Sequence, residues 1–150
     1  MELRMQMYDE RMVAPMRTEL TRLGIEELRT AAAVDEALKG APGTQLVVVN
    51  SVCGCAARNM RPAVAAALGH ATRPDKLYTV FAGNDVDATR QARTYFTGYA
   101  PSSPSIGLFR DGKLVHMVER WQIEGRTVES IAADLTAAFD THCGVATGAK

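Results

Sequence analysis

The sequence predicts an α/β chain forming a single domain over residues 1–150, with a mixed sheet flanked by helices and an extra helix at its N-terminal end. Three observations predict it. The run Leu46-Val47-Val48-Val49 is apolar without interruption and too short for a helix, the pattern of a strand covered on both faces. Segments of helical period separate this run from the other strand candidates, which calls for helices on both sides of a sheet. Finally, Arg110-Asp111-Gly112-Lys113 lies between two apolar runs, and an Asp-Gly pair in that setting is a strong hairpin signal.

The elements follow in order. From Tyr8, residues Met12, Met16, Leu20 and Leu23 recur at helical spacing and read as a core-facing stripe ended by Gly24, with Pro15 expected to kink or confine the helix. Thr30 can cap a second helix through Leu38, closed by the Gly40 to Gly43 turn. After the Leu46–Val49 strand, Cys53-Gly54-Cys55 leads into an alanine-rich helix, Ala56 to Leu68, which starts at or just before the cysteines and is bent by Pro62. Leu77 to Phe81 is a second strand, and Asp85 or Asp87 opens a helix to about Phe96. The loop Pro101-Ser102-Ser103-Pro104 precedes the hairpin of Ser105–Phe109 and Leu114–Val118. Thr127 with Ser130 starts a final helix carrying Val128, Ile131, Leu135, Ala138 and Phe139 on one face, up to His142-Cys143. This is the element order of a thioredoxin-like domain with one added N-terminal helix.

Composition narrows the functional classes. With 47% hydrophobic residues, a chain of 150 residues can bury roughly 68–70% of its unfolded surface, so neither a metal nor a disulfide is needed to hold it together. Seventeen basic residues balance seventeen acidic ones, and no broad field points to nucleic acid or an anionic membrane. Met1-Glu2-Leu3-Arg4 and Asp9-Glu10-Arg11 are charged where a leader would be apolar, and no segment approaches the roughly 18–20 apolar residues of a membrane span. The cytoplasm is the expected compartment. Three cysteines, two of them a single residue apart, do not form the even framework of a secreted domain and read as reagents or ligands.

Cys53 follows a buried strand at the mouth of a helix, where unpaired amides and the helix dipole favour a thiolate, the attacking species in disulfide exchange. Cys55 can reach it, but the ring closed across one intervening residue is small and its torsion strained, so that bond should be easily reduced. Gly54 suits the position through its freedom of backbone angle. Cys53 is thus the expected nucleophile and Cys55 the resolving or modulating partner. Ser103-Pro104 is a reasonable cis peptide, and a thioredoxin-like arrangement places such a proline beside the reactive sulfur. Gly54, Ser103 and Pro104 are therefore the expected substrate-binding residues.

The stretches Val49-Asn50-Ser51-Val52-Cys53-Gly54-Cys55-Ala56-Ala57, Val80 to Gly83, Tyr95 to Gly98, Pro101 to Ser105 and Ala138 to Asp140 with His142-Cys143 resemble the bacilliredoxin family, in matching order from Tyr8 to Cys143. The resemblance implies a redox protein that removes bacillithiol, a low-molecular-weight thiol, from S-thiolated client proteins, and also associates disulfide isomerase activity with the chain. Cys53 would take the bacillithiol as a mixed disulfide, and Cys55 or free bacillithiol would regenerate it. No resident cofactor is implied, since bacillithiol is a co-substrate; another small thiol could take its place. Arg58 and Asn59 follow the motif and could tune the substrate surface.

Two other readings compete. The cysteine pair with Cys143 and one of His70, His116 or His142 could supply four ligands to zinc. Alternatively, the pair could form a regulatory disulfide in an interaction module without turnover. Of the remaining residues, Trp121 reads as packing after the hairpin or, alternatively, as lining a partner groove, Asn50 as a strand-ending turn residue or an orienting group, and Arg17, Arg22 and Arg29 as solvated helix faces.

Overall fold

The computed structural model describes residues 6–144, so the charged segment Met1–Arg4 lies outside the described residues. The elements are α1 (Glu10–Thr21), β1 (Glu26–Glu27), α2 (Ala31–Leu38), β2 (Thr44–Asn50), α3 (Arg61–Ala67), β3 (Lys76–Phe81), α4 (Val86–Arg93), β4 (Ser105–Arg110), β5 (Lys113–Val118), α5 (Arg120–Ile123) and α6 (Val128–His142). A π-helical turn, Ala56–Met60, leads into α3. The five strands form one sheet in the order β1-β3-β2-β4-β5, with β1, β3 and β2 parallel and β4 and β5 antiparallel.

Strand β2 is central, and all seven of its residues are buried. Because side chains alternate across a strand, its two faces feed two separate cores. Leu46 and Val48 pack with Ile106 and Leu108 under α3 and α6, while Val47 and Val49 pack with Val80 and Phe109 under α2 and α4. An uninterrupted valine run is what such double coverage demands. On β4, a Cβ at Gly107 would come within 2.8 Å of the Phe96 ring, so glycine lets Phe96 lie against the sheet. The hairpin turns at Asp111 and Gly112, both with positive φ, as a type I′ turn needs.

The structure departs from the sequence reading in several places. In α1 the buried face is Val13, Arg17 and Leu20: of the expected stripe Met12, Met16, Leu20 and Leu23, Leu20 is fully buried and Leu23 packs against the core, but Val13 and Arg17 replace Met12 and Met16 at the N-terminal end, and Met12 is exposed. A buried charge causes the shift. Arg17 is not solvated but 6% exposed, and it forms a two-pronged pair with Asp85 at 2.9 and 3.0 Å while also bonding Glu10 and Glu27. Its guanidinium lies over the Phe81 ring, and Arg29 adds a bond to Asp85 from a half-exposed position. This cluster fastens α1 to β1 and to the start of α4. Pro15 neither ends nor confines α1; it sits on the exposed side, where the carbonyl that loses its partner can meet water.

Strand β1 and helix α5 escaped the sequence reading because two and four residues carry no periodicity. Helix α4 ends at Arg93 rather than near Phe96; Asp85 opens it as expected, but its carboxylate takes Arg17, Arg29 and the Phe81 N–H rather than an N–H of the first turn. Trp121 does not pack after the hairpin: it is 69% exposed, with its indole N–H donated to Glu119.

Removing the carboxylate of the central pair leaves a buried guanidinium short of its two-pronged partner. Asp85→Ala is therefore expected to lower the unfolding free energy by about 3–5 kcal/mol, against less than about 0.5 kcal/mol for Arg22→Ala on the exposed face. Urea denaturation followed by circular dichroism checks both values.

Candidate active site

Strand β2 delivers the chain to Asn50, and the next residues build the site. Asn50 is buried; its amide donates to the Met16 carbonyl, and its Oδ1 accepts from the Ser51 N–H and from Arg61. Arg61, 3% exposed, also donates to the Ser51 carbonyl at 3.0 Å and to Glu19 at 2.9 Å. Ser51 Oγ in turn accepts the Cys53 N–H at 3.2 Å. The loop before Cys53 is thus held by buried polar groups and not left to fluctuate.

Cys53 is half-buried and occupies the capping position of the helical turn that starts at Gly54. Its carbonyl accepts the N–H groups of Ala56 and Ala57 at 2.9 and 3.2 Å. Its Sγ accepts the Cys55 N–H at 3.4 Å, as a capping side chain does, and faces the Cys55 Sγ at 2.6 Å. The cysteines are unbridged. Pro62 can offer no N–H to the preceding turn, and the helix takes its wide π-helical turn immediately before it, closed by the Arg61 N–H on the Ala56 carbonyl.

Gly54 has no positive φ, so its backbone freedom is not what the position uses. Instead a Cβ there would lie 2.9 Å from the Arg58 guanidinium, which crosses directly over it. Gly54, Arg58 and Asn59 line a shallow depression with both cysteines, and Asn59 donates to the Ile123 carbonyl, tying α5 to this end of the molecule. On the other side of Cys53 lies a cleft of about 510 Å³ that it shares with Ser51, Ser103, Arg93 and Arg120. The Ser103-Pro104 peptide is cis; Pro104 is buried, and it is Ser103 that faces the cleft.

The other sequence candidates stay apart. Cys143 is fully buried beside Thr44, at the opposite end of β2 from Cys53, and a seven-residue strand spans about 20 Å. His70 and His116 are engaged by Asp140 and Asp134, and the His142 carbonyl accepts from Arg110. Among the described residues no group of three or more His, Cys, Asp or Glu could hold a metal ion. The zinc reading with Cys143 or a histidine therefore has no site there. No helix among the described residues is long and apolar enough to cross a membrane.

Comparison with known proteins gives the same picture. A family model described as Disulphide isomerase matches residues 8–143. A protein of Koribacter versatilis named bacilliredoxin is 62% identical over 144 residues, covering 96% of this chain and 99% of its own. A bacilliredoxin of Staphylococcus haemolyticus is 50% identical, covering 95% and 98%. The chain belongs to the bacilliredoxin family. Among solved structures, a thioredoxin of Malassezia sympodialis matches with a TM-score of 0.54 at 17% identity, covering 79% of this chain and 90% of that one, which shows the thioredoxin fold. Family and fold together make the chain a thiol-disulfide oxidoreductase.

In this member of the bacilliredoxin family the two thiols are driven apart in acidity. Burial raises the pKa of Cys53, but the Cys55 thiol, the Cys55 and Ala56 N–H groups and the positive charge of Arg120 outweigh it, and the net direction is down. Burial raises Cys55 too, and the neighbouring Cys53 adds to it by hydrogen bond and by charge, pushing Cys55 up to about 11. Burial likewise pushes Cys143 up. The site can thus present one thiolate backed by one thiol.

Arg61, Arg93 and Arg120 were not singled out from the sequence. Nothing in their spacing ties them to the cysteines; only the fold brings α3, α4 and α5 to the end of β2.

Arg120 acts on Cys53 through charge. Arg120→Gln is expected to move the pH midpoint of Cys53 alkylation upward and to slow alkylation at neutral pH, while Arg120→Lys keeps most of the wild-type profile. Rates of iodoacetamide labelling of Cys53 across pH, read by peptide mass, check this.

Proposed function

We propose that this oxidoreductase removes a small thiol, bacillithiol in hosts that make it, from mixed disulfides on client proteins, using Cys53 as nucleophile and Cys55 as the resolving thiol. The observation that carries this reading is a pair of unbridged sulfurs facing each other at 2.6 Å at the start of a helix, in a chain of the bacilliredoxin family; the opposed directions of their pKa shifts fit it.

The exchange conserves electrons throughout. The Cys53 thiolate attacks the small thiol's sulfur; a new S–S bond forms to Cys53, the client's S–S bond breaks, and the client sulfur leaves as a thiolate that takes a proton from water. Client cysteine is reduced and Cys53 is oxidised to a mixed disulfide. Two of the three largest influences holding Cys55 protonated come from Cys53 itself, and both vanish once Cys53 is capped by the adduct. Cys55 then ionises more readily, attacks the Cys53 sulfur and expels the small thiol, leaving a Cys53–Cys55 disulfide that two further small-thiol molecules reduce, departing as their own disulfide. Alternatively, a second small thiol attacks the adduct's outer sulfur and frees Cys53. Both routes draw their electrons from thiols, with bacillithiol as co-substrate.

The same thiolate can attack a disulfide within a client, and the description of the matching family model supports isomerase activity as a companion reaction. A reducing compartment such as the cytoplasm fits either route, since the cycle needs both cysteines returned to the thiol state.

Trapping separates the roles. Cys55→Ser, mixed with a bacillithiolated model protein, is expected to accumulate about one small-thiol adduct per chain at Cys53 by intact mass, whereas Cys53→Ser accumulates none. No adduct on Cys55→Ser with bacillithiol, glutathione or cysteine as passenger would overturn the reading.

A further inference from the structure

The cleft beside Cys53 is electrostatically one-sided. Two of its walls carry guanidinium groups, Arg93 from the end of α4 and Arg120 from the start of α5, and among the described residues no carboxylate lines it. Both arginines reach the same short stretch of backbone: Arg93 donates to the Ser102 carbonyl and Arg120 to the Ser103 carbonyl, each at 3.3 Å, immediately before cis-Pro104. The two cations therefore bracket the loop that faces the reactive sulfur.

Their surroundings differ. Arg120 is nearly half exposed and pairs with Glu124 at 3.1 Å, a solvent-side contact that a competing anion can exchange with. Arg93 has no such partner. Among the described residues no carboxylate stands within ion-pair distance of it, and its Nε is buried without a hydrogen bond. A guanidinium taken out of water without a counter-charge is unfavourable. Elsewhere in this molecule burial is matched: Arg17 has three carboxylates and Arg61 has Glu19. Among the described residues the half-buried Arg93 is the exception, and with Arg120 it opens onto the cleft of Cys53.

We infer that Arg93 and Arg120 form an anion-binding pair that seats a carboxylate-bearing small thiol against Cys53, making the anionic passenger the group this site selects. The inference rests on the de-thiolation reading above and deepens it. The cleft, about 510 Å³, is within the range of small-molecule sites, roughly 300–1,000 Å³, and this favours the passenger over a client side chain as the source of the carboxylate. It also settles which sulfur is attacked. In a mixed disulfide either sulfur can accept the thiolate; with the passenger's carboxylate held beside Cys53, the passenger's sulfur is the nearer one, and the client becomes the leaving group.

The test measures adduct transfer to the Cys55→Ser protein from one neutral model peptide carrying mercaptosuccinate, 2-mercaptoethanol or cysteamine in mixed disulfide with its single cysteine. The expected ratio of the mercaptosuccinate rate to the 2-mercaptoethanol rate is about 10-fold or more, the low end for charge-assisted hydrogen bonds, with cysteamine slowest. Adding Arg93→Gln is expected to lower that ratio roughly 10-fold, Arg93→Lys to retain most of it, and added salt to reduce it. Taking a ratio removes any common change in Cys53 reactivity. A ratio unchanged by Arg93→Gln would overturn the inference while leaving de-thiolation standing. So would a preference that follows acidic residues placed in the peptide instead of the passenger. Failure to accept any of the three adducts would overturn the de-thiolation reading and this inference with it.

Discussion

The proposed chemistry depends on one shared proton. Cys53 and Cys55 face each other across a single glycine, and the proton between them stabilises a thiolate on the first sulfur by remaining on the second. Neither cysteine would behave this way alone. Burial opposes ionisation of both, so the asymmetry has to come from what each one meets: Cys53 collects the backbone amides of a helix start and the charge of Arg120, whereas Cys55 faces mainly Cys53. In the proposed cycle the pair would also time itself, because capping Cys53 with an adduct removes its hydrogen bond and charge from Cys55.

The rest of the fold holds that pair in place. Strand β2, covered on both faces, ends at Asn50, and the buried Arg61 links Asn50, the Ser51 carbonyl and Glu19 of α1 just ahead of the reactive loop. A second buried arginine, Arg17, joins α1 to β1 and α4. The added N-terminal helix is thus coupled to the site through polar contacts. Breaking either network would leave an uncompensated charge in a low-dielectric interior, so these contacts make the arrangement unforgiving of single substitutions whatever their net contribution to stability.

The features that could be read from the sequence are those whose cause is local. The Leu46–Val49 run announces a doubly covered strand, Asp111-Gly112 announces its turn, and Cys-Gly-Cys after a strand announces thiol chemistry. The features that could not be read are set by distant partners. A stripe of Met12, Met16, Leu20 and Leu23 is the natural hydrophobic choice for α1; Leu20 and Leu23 do meet the core, but Asp85, Glu10 and Glu27 draw Arg17 inward in place of Met16. Trp121 looks like core by residue type but sits on the outer side of a four-residue helix that buries Ile123 instead. Gly54 invites an argument from backbone freedom, yet its φ is not positive, and what lies over it is the exposed guanidinium of Arg58. Arg93 and Arg120 carry no local signal at all, since their common feature is the cleft.

The central claim is the opposed ionisation of two neighbouring sulfurs, and the most direct measurement is an NMR titration of the cysteine Cβ shifts in the reduced, isotope-labelled protein. The account predicts that Cys53 titrates below the ordinary thiol range while Cys55 stays protonated until the region of about 11. Two cysteines titrating together near the ordinary thiol value, or Cys55 ionising before Cys53, would contradict it.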